Sequence, residues 1–135
     1  MQENRIGYTL HDRMPTKRIL LVDDDELIRE MMGGTLKSLG YRFVSEGSGV
    51  DALKTFKRHP DHFDLILTDL LMVDMTGDRL SEQVKSIRRD IPVVLITGSP
   101  DQITRERVRV AGICEVLEKP VSRIVLSRTL RRFCN

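Results

Sequence analysis

Short apolar runs recur along the chain, and segments with a helical spacing of apolar residues separate them. The runs cover residues 19–22, 43–44, 63–67, 93–96 and 116–117. Most are rich in leucine or β-branched residues, and three are continuously apolar, which is typical of strands buried on both faces of a parallel sheet. The alternation predicts an α/β fold of (βα)5 type, with right-handed crossovers and helices on both faces of the sheet.

The intervening segments predict five helices, whose ends are marked by capping residues, glycine and proline. Their apolar stripes cover residues 27–39, 50–56, 80–87, 103–111 and 122–133. We expect Gly40 to stop the first helix, Asp78 to cap the third and Gly112 to end the fourth. Gly33 and Gly34 lie inside the first helix, where each costs about 1 kcal/mol relative to alanine. Local weakness, close packing or a flexible docking surface would each explain them.

The composition is that of a soluble globular protein with one domain. Its 135 residues are 40% apolar and 31% charged. No apolar run approaches the roughly 18 residues of a membrane span, and no secretory signal is visible. Two cysteines without CxxC spacing, Cys114 and Cys134, indicate a reducing cytoplasm. Residues 1–15 show no clear period, so we expect a flexible extension or linker there and a domain over residues 16–135.

Charge is distributed unevenly along the chain. Residues 1–100 carry 14 basic and 16 acidic side chains, and residues 101–135 carry 8 and 4, so the two parts have net charges of −2 and +4. A basic region can form a nucleic-acid surface, but no aromatic residues lie between these arginines to stack bases. We therefore predict that the arginines form the exposed faces of two helices and that the chain does not bind nucleic acid directly.

Polar side chains of chemical interest follow four of the predicted strands. Asp23 and Asp24 follow the first strand and Asp69 the third, and Thr97 and Lys119 follow the last two. Since ligands of open α/β sheets bind at the carboxyl ends of the strands, we expect a shared crevice. Three carboxylates repel one another unless a cation lies between them, and hard oxygen ligands favour Mg²⁺ over zinc. One carboxylate can then attack a phosphoryl group to form an acyl phosphate, while the lysine and hydroxyl neutralise charge.

Other acids in these segments fit structural roles. Asp25 and Glu26 open the first predicted helix, where capping and the helix dipole favour carboxylates. Asp74 and Asp78 fall before or at the start of the third helix, and we expect them to be loop and capping residues.

Four segments in order resemble the receiver domain of two-component response regulators: LLVDDD, LILTDLLMVDMTG, IPVVLITG and LEKP. The resemblance covers about residues 17–134 and implies a flavodoxin-like three-layer sandwich, with a five-stranded parallel sheet of order 2-1-3-4-5. It implies phosphorelay signalling, in which a histidine kinase or a histidine phosphotransfer protein donates a phosphoryl group to an aspartate. Such a domain is a cytoplasmic switch that controls a partner or an attached domain, and it is not an enzyme.

The resemblance also assigns the acidic residues. It makes Asp69 the phosphoacceptor. Asp23 and Asp24 become the acidic pair that, together with Asp69, holds Mg²⁺ as the cofactor. The backbone carbonyl of Leu71 becomes a further ligand of that metal.

At the other two strand ends, the resemblance makes Thr97 the switching hydroxyl and Lys119 the lysine that pairs with the phosphoryl group. Pro120 is expected to follow a cis peptide bond. Two positions depart from the family pattern, since Val73 stands in place of a proline and Val116 in place of an aromatic residue. We therefore expect a more mobile loop after the phosphoacceptor. We also expect a signal carried mainly by Thr97 and the loop after it, because a valine cannot make an aromatic side chain's rotation.

The spacing in MTGDRLSEQVKSIRRDIPVVLITG most resembles receivers at the C-terminus of hybrid sensor histidine kinases, in which residues 1–15 would be a linker. Because no output domain follows the fifth helix, we expect a stand-alone receiver or a receiver from a longer chain. Ile124, Val125 and many arginines on the last two helices leave open a homodimer through the fourth and fifth helices.

Three other functions fit parts of the sequence. A phosphatase of the haloacid dehalogenase type would use Asp23 in a DxDx[TV] pattern, but Leu27 occupies the last position. A flavodoxin-like cofactor binder would need a phosphate loop rich in glycine and hydroxyls after the first strand, which this sequence lacks. A degenerate receiver used only for protein contact would lack some of the five key positions, all of which are intact.

Overall fold

The computed structural model describes residues 16–134, so the extension expected over residues 1–15 lies outside the described part of the chain. The strands are β1 (Arg18–Val22), β2 (Arg42–Glu46), β3 (Leu65–Asp69), β4 (Val93–Thr97) and β5 (Glu115–Glu118). The helices are α1 (Glu26–Ser38), α2 (Gly49–Arg58), α3 (Gly77–Ile87), α4 (Arg105–Ala111) and α5 (Arg123–Cys134). Short 3₁₀ turns, Pro60–His62 and Pro100–Gln102, precede β3 and α4. The predicted alternation of five strands and five helices is confirmed.

The strands form one parallel sheet in the order β2-β1-β3-β4-β5, which confirms the predicted topology. Every residue of the central strands β3 and β4 is buried, as expected for strands covered on both faces. β2 and β5 form the two edges of the sheet, and both are less buried. Burial therefore follows the position of each strand in the sheet.

Helices cover both faces of the sheet, so the sheet separates the core into two layers. On one face, Leu36 of α1 and Leu126 of α5 are fully or almost fully buried against the sheet. On the other face, Phe56, Leu80 and Ala111 from α2, α3 and α4 pack against it. Within residues 16–134, no helix has both the length and the apolar character needed to cross a membrane. The loops that leave the carboxyl ends of the strands meet at one edge of this sandwich.

The paired glycines of α1 differ in their surroundings. A Cβ on Gly33 would lie 2.5 Å from the ring of Phe43 in β2, so this glycine lets the helix pack closely on the sheet. A Cβ on Gly34 would meet nothing within 4 Å. Close packing therefore accounts for Gly33, and the surrounding structure does not explain Gly34.

The caps of the helices match the predictions with one exception. Asp25 caps α1, since its carboxylate accepts a hydrogen bond from the Leu27 amide at 2.9 Å. Asp78 does not cap α3, because Thr76 holds the cap position and Asp78 lies in the first turn. Its carboxylate instead accepts a hydrogen bond from Arg107 Nε of α4 at 2.5 Å. Asp78 takes this position because the Arg107 guanidinium on the neighbouring helix is a charged and therefore stronger partner than a backbone amide.

Candidate functional site

The register of the parallel sheet brings the predicted site residues to one edge. Because β1 and β3 are neighbours in register, Asp23 and Asp69 lie side by side where the two strands end. Thr97 ends β4 and Lys119 follows β5, which are the next two strands across the sheet. The shared crevice predicted from the strand ends is therefore present.

Three carboxylates form the acidic part of this crevice. One oxygen from each of Asp23, Asp24 and Asp69 lies within 4.8 Å of an oxygen from each of the others. Asp23 is 4% exposed and Asp69 is 8% exposed, whereas Asp24 faces solvent. Two of the three carboxylates are thus fixed in the protein, and the third lies at the mouth of the crevice.

Lys119 supplies a positive charge to this cluster. Its Nζ donates a hydrogen bond to Asp23 Oδ2 at 3.0 Å and lies 3.5 Å from Asp69 Oδ1. Burial alone would lower the pKa of Lys119, but the hydrogen bond to Asp23 and the charge of Asp69 outweigh it and raise that pKa. Lys119 is therefore held as an ammonium group between the two buried carboxylates. The peptide bond between Lys119 and Pro120 is cis, as expected.

At Asp69, burial outweighs the contacts that favour the charged form, whereas at Lys119 the contacts outweigh burial. Its Oδ1 accepts a hydrogen bond from the Leu70 amide at 2.9 Å. Burial and the charge of Asp23 raise the pKa of Asp69, although Lys119 and the amide act in the other direction. Negative charge at this carboxylate is therefore only partly compensated by the protein itself.

Asp23 is held in place from several directions. Its Oδ1 accepts a hydrogen bond from the Asp25 amide at 2.9 Å, while its Oδ2 faces Lys119. Its backbone carbonyl accepts a hydrogen bond from Arg29 Nη1 at 2.7 Å. These contacts distinguish the three adjacent acids, because Asp23 points into the crevice, Asp24 lines its mouth and Asp25 caps α1.

Thr97 and Leu71 lie in the segments next to the acids. Thr97 is buried, and its Oγ1 accepts a hydrogen bond from the Ser99 amide at 3.0 Å, which links the hydroxyl to the loop after β4. Leu71 is 49% exposed. The switching role of Thr97 and the metal-ligand role of the Leu71 carbonyl stay predictions.

The loop between β3 and α3 is anchored on two sides. The Gly77 amide donates to the Leu70 carbonyl at 2.8 Å, and a Cβ on Gly77 would lie 2.3 Å from the Asp69 carbonyl oxygen. Only a glycine allows α3 to start this close to the acidic residue. On the other side, Asp74 bonds to the start of α2. Val73, which stands in place of the usual proline, lies between Leu70 and Asp74 and is 98% exposed.

Sequence reasoning did not assign Gly77 or the partner of Asp74. The glycine carried a usable signal, since an MTG triplet directly before a predicted helix suggests a close backbone approach. Asp74 carried none, because its partners are 24 and 25 residues away.

The donor set fits a hard divalent cation. The cluster contains carboxylate oxygens alone, and in the described residues Lys119 is the one cation that contacts them directly. Mg²⁺ in proteins is usually held by one or two carboxylates together with phosphate and water oxygens. The partly compensated charge of Asp69 and the accessible Asp24 are consistent with such a cation.

The fold and the site together define an α/β domain with an acidic, lysine-containing centre at the carboxyl edge of its sheet. A family profile described as "Response regulator receiver domain" matches residues 19–131. The chain therefore belongs to the response regulator receiver domain family, and it is a receiver domain of two-component phosphorelay signalling.

Individual relatives agree with this family. The chain is 33% identical over 112 residues to sensor histidine kinase RcsC of Escherichia coli strain K12, an alignment that covers 83% of this chain and 12% of that kinase. The chain thus corresponds to a small part of this relative's length.

Solved structures of receivers share the fold. A response regulator receiver domain protein from Clostridium thermocellum has 25% identity and a TM-score of 0.83, covering 88% of this chain and 94% of that one. The receiver domain of sensor histidine kinase PA1611 from Pseudomonas aeruginosa has 29% identity and a TM-score of 0.79, covering 89% of this chain and 98% of that one. That domain was solved with a magnesium ion coordinated in its active-site cleft.

Proposed function

We propose that Asp69 accepts a phosphoryl group from a phosphohistidine donor and that the resulting acyl phosphate switches the domain between two conformations. The observation that supports this role is the position of Asp69. Its carboxylate is buried at the end of β3, beside Asp23 and Asp24, with the Lys119 ammonium 3.5 Å away. A nucleophile and an adjacent cation are the groups that phosphoryl transfer requires.

In the transfer step, a carboxylate oxygen of Asp69 attacks the phosphorus atom and forms a P–O bond. The P–N bond to the donor histidine breaks, and the imidazole nitrogen keeps the electron pair and takes up a proton from water. Asp23, Asp24 and Asp69, with the Leu71 carbonyl, would hold Mg²⁺, which when bound neutralises charge on the phosphoryl oxygens. Lys119 holds its ammonium where those oxygens would develop charge. Asp69 accepts one phosphoryl group and does not turn over a substrate.

The switch would start at Thr97. Its hydroxyl is bonded to the Ser99 amide, so a new bond from the hydroxyl to a phosphoryl oxygen would also move the loop after β4. Val116 of β5 is half-buried and cannot make the rotation that an aromatic side chain would make there. We therefore assign the conformational signal mainly to Thr97 and the segment that follows it. No displacement of residues 97–101 on binding a phosphoryl mimic would contradict this assignment.

The donor would dock beside the crevice on α1. Leu27 and Met31 of this helix are 63% and 65% exposed, although both are apolar. A cavity of about 370 Å³ lies next to them, and its lining runs from Met31 and Met32 to Lys119. An apolar surface that ends at the site suits a histidine kinase or a histidine phosphotransfer protein, whose phosphohistidine must reach Asp69.

A homodimer through α4 and α5 stays a prediction. A two-fold interface uses the same surface patch of both copies, and on α5 this patch contains the exposed Ile124 and Val125 beside exposed arginines. We propose a cytoplasmic location, which the free thiols of the two cysteines support.

Mass spectrometry tests the central proposal. The wild-type chain, Asp69→Ala and the control Asp61→Ala, which removes an exposed acid outside the crevice, are each incubated with acetyl phosphate and Mg²⁺. We expect the mass of one phosphoryl group to be added to the wild type and to Asp61→Ala, and not to Asp69→Ala. A gain in Asp69→Ala, or no gain in the wild type, would contradict the proposal.

A further inference from the structure

Asp74 connects the loop after the phosphoacceptor to a different helix. It lies five residues after Asp69 and is exposed, yet both of its carboxylate oxygens are bonded. Oδ1 accepts a hydrogen bond from the Gly49 amide at 3.2 Å, and Oδ2 accepts one from the Val50 amide at 3.1 Å. These are free amides at the N-terminus of α2, which favours negative charge.

Helix α2 already has a cap of its own. Ser48 precedes the helix, and its Oγ accepts a hydrogen bond from the Asp51 amide at 3.0 Å. Asp74 is therefore an additional partner that reaches the helix from a distant loop. Its main consequence concerns the loop, in which Leu70 and Met72 are buried in the core while Leu71 and Val73 are exposed.

Packing reinforces this contact. A Cβ on Gly49 would lie 2.7 Å from Met75 Cβ, so the start of α2 lies directly against the residue that follows Asp74. Val73, the residue before Asp74, is almost fully exposed and fixes nothing by packing. At the far end of the loop, the Gly77 amide bonds to the Leu70 carbonyl. The segment that carries Leu71 is thus held between Asp69 and the two anchors at residues 74 and 77.

We propose that Asp74 is a positioning residue for phosphoryl acceptance, which holds the loop after Asp69 in the geometry that the reaction needs. This inference rests on the proposed function. Asp74 does not touch the reacting atoms, and it acts through the backbone that carries the Leu71 carbonyl. Burial alone would raise the pKa of Asp74, but the amides of Val50 and Gly49 outweigh it and lower that pKa. The two bonds from Asp74 to α2, here called the tether, therefore involve a charged carboxylate at neutral pH.

Three variants separate positioning from helix capping. Asp74→Ala removes the tether, and Asp74→Asn keeps an oxygen that can accept from the α2 amides. Ser48→Ala weakens the same end of α2, because it loses the bond to Asp51 and a contact with Asp74, but it leaves the two amide bonds to Asp74 in place.

The measurements cover the metal-free and the reacting protein. Amide hydrogen exchange of residues 70–76 without metal reports on the loop, calorimetric titration gives the Mg²⁺ affinity, and mass spectrometry gives the phosphorylation rate with acetyl phosphate at saturating Mg²⁺. For Asp74→Ala we expect faster exchange in the loop, weaker Mg²⁺ binding and a rate lowered about 10-fold, since small misplacements of reacting groups slow reactions strongly. Asp74→Asn should restore most of the rate, and Ser48→Ala should keep it while lowering thermal stability.

Two results would overturn the inference alone: a wild-type rate in Asp74→Ala, or a loss of rate in Ser48→Ala as large as that in Asp74→Ala. Failure of the wild-type chain itself to take up a phosphoryl group would overturn the proposed function, and this inference with it.

Discussion

Charged residues lie at both ends of the sheet, but they contact different kinds of partner. At the carboxyl end, Lys119 lies between Asp23 and Asp69, and the carboxylates outnumber the contacting cation. At the amino end, Lys85 of α3 donates its Nζ hydrogen bond to the Ile91 carbonyl at 2.7 Å, just before β4. Burial lowers the pKa of Lys85, whereas its carboxylate partners raise the pKa of Lys119.

Arg88 shows the same pattern at the amino end. Its Nη1 donates to the Pro60 carbonyl at 2.9 Å and also to the Phe63 carbonyl, which ties the end of α3 to the turn before β3. Asp64, in the same region, accepts a hydrogen bond from the Arg18 amide at 2.8 Å. Most of these contacts go to backbone atoms and hold elements together, and Arg88 also pairs with the exposed Asp90 at 3.0 Å. At the carboxyl end, charged groups face one another and leave negative charge partly uncompensated, as expected of a site that receives a ligand.

The largest expected effect is the loss of the cation at the carboxyl end. In Lys119→Met, the phosphorylation rate with acetyl phosphate and Mg²⁺ should fall about 100-fold, because a preorganised charge opposite the phosphoryl oxygens is lost. Rates followed by mass spectrometry would test this, with Lys57→Met, an exposed lysine on α2, as the control. A rate within a factor of two of the wild type would mean that Lys119 has only a structural role.

The second effect should appear at the amino end and concern stability alone. Arg88→Met should lower the free energy of unfolding by about 2 kcal/mol, because it removes charged hydrogen bonds to two carbonyls. Urea denaturation measures this, and the neighbouring exposed Arg89→Met is the matched control. Phosphorylation should be unchanged. A comparable loss of phosphorylation would show that the two ends of the sheet are not separate in function.

The smallest effect is a gain in stability at the carboxyl end. Burial and Asp23 raise the pKa of Asp69 in the folded state, so ionised Asp69 destabilises the fold at neutral pH. Without divalent metal, Asp69→Asn should therefore raise the melting temperature by a few degrees. Because both folded and unfolded Asp69 are protonated below the ordinary aspartate pKa of 3.8, the difference should shrink as the pH falls toward that value. Melting curves from neutral to acidic pH test this, and equal melting temperatures at neutral pH would contradict it.

The acids of the site could be predicted because each follows a short apolar strand. A parallel sheet aligns the ends of its strands, so Asp23, Asp69, Thr97 and Lys119 converge whatever the details of the loops. The same reasoning recovered the helices and the fold. It depends on the spacing of apolar residues and on the order of the strands and helices, and both can be read from a single sequence.

Contacts between distant side chains could not be predicted in this way. Asp78 bonds to Arg107, which is 29 residues away on α4, and Arg107 also binds Glu82 through two nitrogen–oxygen contacts of 2.8 and 2.9 Å. The choice between capping α3 and pairing with α4 depends on how the two helices pack. Likewise, the position of Asp74 beside α2 follows from the path of a loop and not from any local pattern.

The two edges of the sheet have a consequence for behaviour at high concentration. An edge strand presents unpaired backbone groups, which can add strands from other molecules and start aggregation. Here β2 carries Arg42 and Glu46, and β5 carries Glu115 and Glu118, so each edge has charged side chains along a strand of four or five residues. Short, charged edges oppose the stacking of one copy on another. The same sheet that aligns the acids of the site is thus protected, at both of its edges, against the addition of strands from other molecules.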